Sequence, residues 1–224
     1  MKELERKIGY TYKNPAYLEN ALTHSSYANE SKNGAKSNER LEFLGDAVLS
    51  IVVSDYIYRN CPQLPEGELS KLRASLVCEK SLCRFSSALG VGDCLRLSKG
   101  ERNLRGNERP SILADAFEAI IASIYLDGGM EQARKFILRF VEPEILNPRP
   151  RAFKDYKTTL QEIVQKNPEE HLSYVLVGEE GPDHDKHFFM EVHLNNNVIG
   201  KGGGRSKKEA EQQAAREALK LMGY

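Results

Sequence analysis

The run NERLEFLGDAVLSIVV, residues 38–53, constrains this chain more than any other stretch. Placed on a helix of 3.6 residues per turn, Leu41, Phe43, Leu44, Ala47, Val48, Leu49, Ile51 and Val52 cover most of the circumference. The acids are not scattered among them. With Glu39 at zero, Glu42 falls at about 300° and Asp46 at about 340°, so the three share an arc of roughly 60° that Ser50 extends. A helix apolar nearly all round is a buried one. Its acid stripe therefore faces a cleft or is trapped in a core. A solvated face would interleave Lys or Arg, and none occurs between Leu41 and Tyr58. Glu42 and Asp46, four residues apart, repel each other and weaken the helix.

A second helix repeats the conflict. In SILADAFEAIIASIYLDGG, residues 111–129, Asp115 and Glu118 are i, i+3 neighbours among Leu113, Ala114, Phe117, Ile120, Ile121, Ile124 and Leu126. Ala119 and Ala122 beside these acids, and Gly45 on the first helix, are small enough for two helices to approach closely. The two stripes are read as facing each other. Four converging carboxylates without a cation are very costly. Mg²⁺ takes oxygen ligands and keeps positions open for water or phosphate oxygens. Neither stripe contains His or Cys, which disfavours Zn²⁺. An all-carboxylate site of this kind suits phosphodiester hydrolysis. Di-iron bundles also pair acids across helices, normally with Glu-x-x-His, which neither stripe has.

Around these helices the chain divides by composition. Residues 1–147 read as helical, with candidate segments 15–23, 38–60, 67–88, 111–126 and 130–145, and a polar surface loop over 97–110. A proline-rich linker, 148–154, follows. Residues 155–224 change period: a short helix in TTLQEIVQK, strands in HLSYVLVGEE, DKHFFMEVHLN and NNVIGKGGG, and a closing helix in RSKKEAEQQAAREALKLMG. The fold class is multi-domain, an all-α domain followed by a small α+β (α-β-β-β-α) module. The formal net charge is zero, so any basic surface is local. Four cysteines lack C-x-x-C spacing, which disfavours a zinc site or a disulfide framework and suits a reducing compartment. No apolar run is long enough to span a bilayer, and the N-terminus carries no hydrophobic signal region. A cytoplasmic protein is expected.

The blocks ALTHSSYAN, NERLEFLGDAVL, PEGELSKLRASLV and SILADAFEAIIASIYLDGG, in this order and spacing, resemble the ribonuclease III family of double-stranded-RNA endonucleases in its simple bacterial form. The resemblance covers nearly the whole chain. It implies that Glu42, Asp46, Asp115 and Glu118 are Mg²⁺-binding catalytic carboxylates, with Mn²⁺ able to substitute. Glu39 and Glu66 match further acids near the cleft and subunit interface. It also implies a homodimer that cuts both strands, leaving 5′-phosphate and 3′-hydroxyl ends with short 3′ overhangs, in precursor rRNA and mRNA processing. The apolar excess on 41–57 is consistent with a partner subunit. The rival reading is a double-stranded-RNA-binding protein without cleavage activity.

In the C-terminal module the resemblance assigns RNA contacts to three patches. These are Thr158, Thr159, Gln161 and Glu162 on the first helix, the loop GPDHDK with His184, and Lys207, Lys208 and Gln212 on the last helix. The first two enter minor grooves and the third meets phosphates, as suits lysines at a helix N-terminus. From Asp155 onward the module has 12 acidic and 9 basic residues, so its affinity is expected to be modest and salt-sensitive. His24, inside ALTHSSYAN, receives no chemistry; a buried, hydrogen-bonded histidine is the default.

Overall fold

Helices follow the 3.6-residue periodicity through residue 146 of the chain. The structure is a computed structural model describing residues 1–31, 34–146, 156–182 and 185–223. It divides into two units, Met1–Arg149 and Pro150–Tyr224. The first contains α1 (Lys2–Ile8), α2 (Ala16–Ala21), α3 (Ser25–Glu30), α4 (Glu39–Asn60), α5 (Glu66–Val77), α6 (Glu79–Leu89), α7 (Val91–Cys94) and α8 (Lys99–Asn103). A 3₁₀ turn (Gly106–Glu108), α9 (Pro110–Gly128) and α10 (Met130–Leu146) complete it. Among the described residues no helix is long and apolar enough to cross a membrane.

α9 is the axis of this unit. Phe117, Ile120, Ile121 and Ile124 are fully buried along it, and α2, α4, α6 and α10 pack around it. Each such side chain contributes about 1.5–3 kcal/mol on burial. Phe85, Phe136 and Phe140 close one side, with ring centroids 5.3–5.7 Å from Phe117. At the far end of α9 the Asp127 carboxylate accepts the Tyr10 hydroxyl at 2.7 Å and the Lys13 and Asn14 N–H groups at 2.8 and 2.9 Å.

Two local readings are corrected. The segment 67–88 is two helices, broken at Cys78, which is extended at φ −72°, ψ 154°. No Gly or Pro marks this break; the Ser81 hydroxyl donates to the Ser75 carbonyl at 2.8 Å, replacing the helical donor lost there. The loop 97–110 holds α8, because Ser98 Oγ accepts the Glu101 N–H at 3.1 Å and Arg109 pairs with Glu101 at 2.8 Å. α10 runs through Pro143 to Leu146, held past the proline by an Arg84–Glu144 ion pair at 3.1 Å. Segment 148–154 lies outside the described residues.

The second unit contains α11 (Tyr156–Val164), β1 (Leu172–Glu180), β2 (His187–Leu194), β3 (Asn197–Gly204) and α12 (Lys207–Leu221). The strands form an antiparallel sheet in the order β1-β2-β3. Met190 and Val192 face a core of Leu160, Val164, Ala210, Ala214, Ala215, Ala218 and Leu219. Gly202–Gly204 belong to β3, as the strand reading of NNVIGKGGG predicts. A Cβ on Gly202 would lie 2.2 Å from the Ala214 nitrogen, so glycine there lets α12 lie directly on the strand.

Candidate active site

Gly45 sets the separation of α4 and α9. A Cβ at this position would stand 1.8 Å from the Glu118 carbonyl oxygen; the two helices meet backbone to backbone. The acids lie beside this crossing. Carboxylate oxygens of Glu42, Asp115 and Glu118 lie within 4.8 Å of one another, each side chain half-buried. Asp46 is exposed and stands beside the triad, close enough for its charge to act on Glu42 and Glu118. Asp46 therefore shares the stripe without joining the tight cluster.

The electrostatics reflect this crowding. Burial first, then Asp46, Glu42 and Asp115, push the Glu118 carboxyl up to about 8. Burial, with Asp115, Glu39 and Asp46, raises Glu42. Asp115 is raised by burial; His24 opposes the rise and Glu79 adds to it. No lysine or arginine is among the groups acting on these three acids. Such a site holds a proton or a cation. Its donors are all carboxylate oxygens, the set a hard divalent ion prefers. Octahedral ligands at 2.0–2.1 Å lie about 3–4 Å apart, so small side-chain rotations would close the triad on one ion.

The accessory acids lie outside the triad. Glu39, exposed at the first residue of α4, accepts the Ser37 hydroxyl at 2.9 Å. Glu66, exposed at the start of α5, accepts the Ser70 hydroxyl at 2.8 Å. It lines a cavity of about 410 Å³ with Ile51, Tyr58, Leu69 and Arg73. The α4 face beside this cavity is not buried within the unit: Phe43 is 81 %, Ile51 56 % and Tyr58 74 % exposed. This corrects the expectation of burial all round. His24 is half-buried rather than enclosed, and hydrogen-bonded to Ser26. Glu79, which acts on Asp115, escaped the sequence reading because 67–88 was taken as one helix and its place at a new N-terminus did not show.

In the second unit, Ser206 caps α12 by accepting the Glu209 N–H at 3.2 Å, and Glu209 accepts the Arg205 N–H at 2.9 Å. Lys207 and Lys208 are exposed in the first turn. Lys207 reaches Glu179 at 3.7 Å and lies over the Phe188 ring. Thr158, Thr159, Gln161 and Glu162 are exposed on α11. Gln212 is engaged within the unit, its Oε1 accepting the Lys157 N–H at 3.3 Å. His184 lies outside the described residues.

Known proteins match both units. Residues 14–145 match the family model of Ribonuclease-III-like proteins, and residues 156–222 that of the double-stranded RNA binding motif. A Ribonuclease 3 of Pelotomaculum thermopropionicum is 50% identical over 218 residues, 96% of this chain and 90% of that protein. A Ribonuclease 3 of Caldanaerobacter subterraneus subsp. tengcongensis is 51% identical over 222 residues, 98% of this chain and 97% of that protein. The crystal structure of the ribonuclease III nuclease domain of Campylobacter jejuni matches with a TM-score of 0.60 at 44% identity, covering 67% of this chain and 97% of that one. A second structure of that domain, described for flexibility in a region involved in dimer formation, matches at the same TM-score of 0.60 and covers 66% of this chain.

Proposed function

The chain belongs to the ribonuclease III family and is a double-stranded-RNA endoribonuclease, and from that premise we propose that it cuts with Mg²⁺ held by Glu42, Asp115 and Glu118, with Asp46 completing the set. The observation that carries this reading is the convergence of three half-buried carboxylates within 4.8 Å of one another, with no lysine or arginine among the described groups acting on them. Bound there, the cation supplies an activated water and stabilises charge on the leaving oxygen. The acids hold it through both helices, so the rigid α4–α9 contact at Gly45 keeps the ligand set in register. Asp46, exposed at the edge of the cluster, would add a fourth carboxylate to the residues holding the ion. Mn²⁺ fits the same oxygen set. Glu39 and Glu66 act as accessory acids near the cut.

The products are 5′-phosphate and 3′-hydroxyl ends with short 3′ overhangs, made by two sites in a homodimer. The exposed stripe Phe43, Ile51 and Tyr58, next to the cavity lined by Leu69 and Arg73, supports a second copy as its cover. The nuclease domain comprises residues 1–147, the linker 148–154 and the RNA-binding domain 155–224; the matched ranges 14–145 and 156–222 fall inside these bounds. Duplex contacts fall to Thr158, Gln161, Glu162, Lys207, Lys208 and Gln212, with His184 included on the family resemblance. On that resemblance too, the substrates are structured rRNA and mRNA precursors in the cytoplasm.

The test is product mapping on a long RNA duplex with Mg²⁺, with Mn²⁺ and with chelator, by wild type and Glu118→Gln. Cutting by wild type with either ion and its loss in Glu118→Gln are expected. The loss should be on the order of 10³-fold or more, from the several kcal/mol a catalytic metal supplies, with duplex binding kept. A wild type that binds the duplex and never cuts it would establish the binding-only alternative.

A further inference from the structure

The end of β1 carries a charge arrangement that the duplex contacts described so far do not use. Glu179 is the penultimate residue of β1. It lies opposite Phe188 in the β1–β2 ladder, and Phe188 lies opposite Gly204 in β3. The three form one row across the end of the sheet. A Cβ on Gly204 would stand 2.7 Å from Glu209 Cγ and 2.8 Å from the Ala210 nitrogen, so glycine there lets the start of α12 settle on this row. The first turn of α12 thereby brings Lys207 across it. The Lys207 ammonium lies 5.7 Å from the centroid of the Phe188 ring and 3.7 Å from Glu179 Oε1. The other oxygen, Glu179 Oε2, is 3.6 Å from Nζ of Lys186, the last residue of the loop GPDHDK. One carboxylate therefore faces a lysine of the strand loop and a lysine of the helix start, one through each oxygen.

Exposed ion pairs of this kind add little to stability. Their effect here is on what the lysines can meet. A carboxylate and a phosphodiester offer an ammonium the same thing, anionic oxygens, so Lys207 cannot give its full charge to a phosphate while Glu179 holds it. The module has no excess of cations to make up the difference: from Asp155 onward it has 12 acidic and 9 basic residues. We infer that Glu179 is an internal competitor of the duplex: in the free protein its carboxylate takes the place of a phosphate between the strand loop and the start of α12, and RNA gains the third patch by displacing it. The inference rests on the reading of Lys207 as a phosphate contact. Its consequence is a brake on duplex affinity that acts through direct pairing with two lysines rather than through net charge.

The test is duplex binding by the full-length protein at low salt, with chelator present so that no variant cuts its ligand. Glu179→Gln is expected to bind an RNA duplex about 3–10-fold more tightly than wild type, the gain from releasing two exposed pairs. Glu180→Gln removes the same charge one residue along, on the opposite face of β1 and facing His187 in the ladder; it is expected to gain less than about 2-fold, since an exposed charge without direct contact is screened. In a protein already carrying Lys186→Ala and Lys207→Ala, Glu179→Gln is expected to gain less than about 2-fold, because no paired ammonium is left to release. Unchanged or weaker binding by Glu179→Gln overturns the inference; weaker binding would show that the carboxylate holds the lysines ready for RNA. Equal gains from Glu179→Gln and Glu180→Gln, or a gain that survives loss of both lysines, overturn it as well. One measurement needs no variant: in wild type the nuclear magnetic resonance signals of Lys207 Nζ and Glu179 Cδ should both shift when duplex is added, and a Glu179 signal that stays in place rules the exchange out. A wild type that binds no duplex, or a Lys207→Ala variant with unchanged affinity and salt slope, overturns the phosphate reading and this inference with it.

Discussion

The two units use one steric device to opposite ends. In the first, Gly45 brings α4 onto α9 with 1.8 Å between a would-be Cβ and the Glu118 carbonyl. In the second, Gly202 brings β3 onto α12 with 2.2 Å between a would-be Cβ and the Ala214 nitrogen. Around Gly202 the neighbours are alanines, and close approach yields a tight apolar core. Around Gly45 they are acids, and close approach yields like charges that, among the described residues, only His24 acting on Asp115 opposes. Several surface cations of the second unit are paired: Lys157 with Glu211 at 2.6 Å, and Lys186 and Lys207 with the same carboxylate, Glu179, at 3.6 and 3.7 Å. The first site is incomplete without a cation. In the second, Lys207 already has a carboxylate partner in Glu179 and must give it up to meet another anion.

The strongest way to break this comparison is to add a methyl group at each glycine. Both Gly45→Ala and Gly202→Ala overpack a backbone contact and should cost about 1–3 kcal/mol or more. Their functional effects should separate. Gly45→Ala pushes α4 from α9, spreads the acids and should abolish cleavage while a gel-shift assay still detects duplex binding. Gly202→Ala lifts α12 from the sheet and should lose duplex binding first. If both variants lose cleavage and binding in step, the division of labour between the units is wrong.

Legibility in the sequence follows the same division. The acid helices stood out because Glu42, Asp46, Asp115 and Glu118 contradict the apolar periodicity around them, and only chemistry resolves such a conflict. The meander was legible because its period is 2 and α12 is built of strong helix formers. The break at Cys78 was not, since it depends on the Ser81 hydroxyl taking the Ser75 carbonyl. That is tertiary detail without Gly or Pro to announce it. The position of Asp46 outside the triad was hidden too, because 100° steps give direction around a helix and not side-chain reach. Phe43 and Ile51 read as part of a buried circumference; their exposure, with that of Tyr58, shows that apolar periodicity does not say which chain will cover a face. The pairing of Lys207 with Glu179 was equally out of view, since strand and helix meet only in the fold.

That pairing sets the next expectation. Lys207→Ala with Lys208→Ala removes the two proposed phosphate contacts but also releases Glu179 from a pair it holds in the free protein. The affinity loss should be moderate, about 10-fold at low salt, and the slope of log K against log salt should fall by about 2. An exposed ion pair is worth about 0–1 kcal/mol, so the melting temperature should barely move. An unchanged salt slope would mean that these lysines do not meet phosphates, and the third patch would have to be sought elsewhere on the unit.

The smallest effect is a difference in pH response. Glu118, raised from the usual glutamate value of 4.5 to about 8, carries its proton more readily in the fold than in the unfolded chain. A group so raised contributes stability that is full below about 4.5 and is lost as pH rises through about 8. Glu191, held low by its hydrogen bond to Lys201, has the opposite sign: its contribution is lost as pH falls through its lowered value. Metal-free protein should therefore lose melting temperature in the first unit between pH 5 and 9, by a few degrees once solvent screening of a partly exposed carboxyl is allowed for. Glu118→Gln, neutral throughout, should flatten that slope, and Mn²⁺ should raise the wild-type melting temperature more at pH 8 than at pH 6, because binding must displace the proton. Equal slopes for metal-free wild type and Glu118→Gln would show that the crowding of Glu42, Asp115 and Glu118 is relieved by something other than a proton, and the case for an incomplete first site would lose its thermodynamic support.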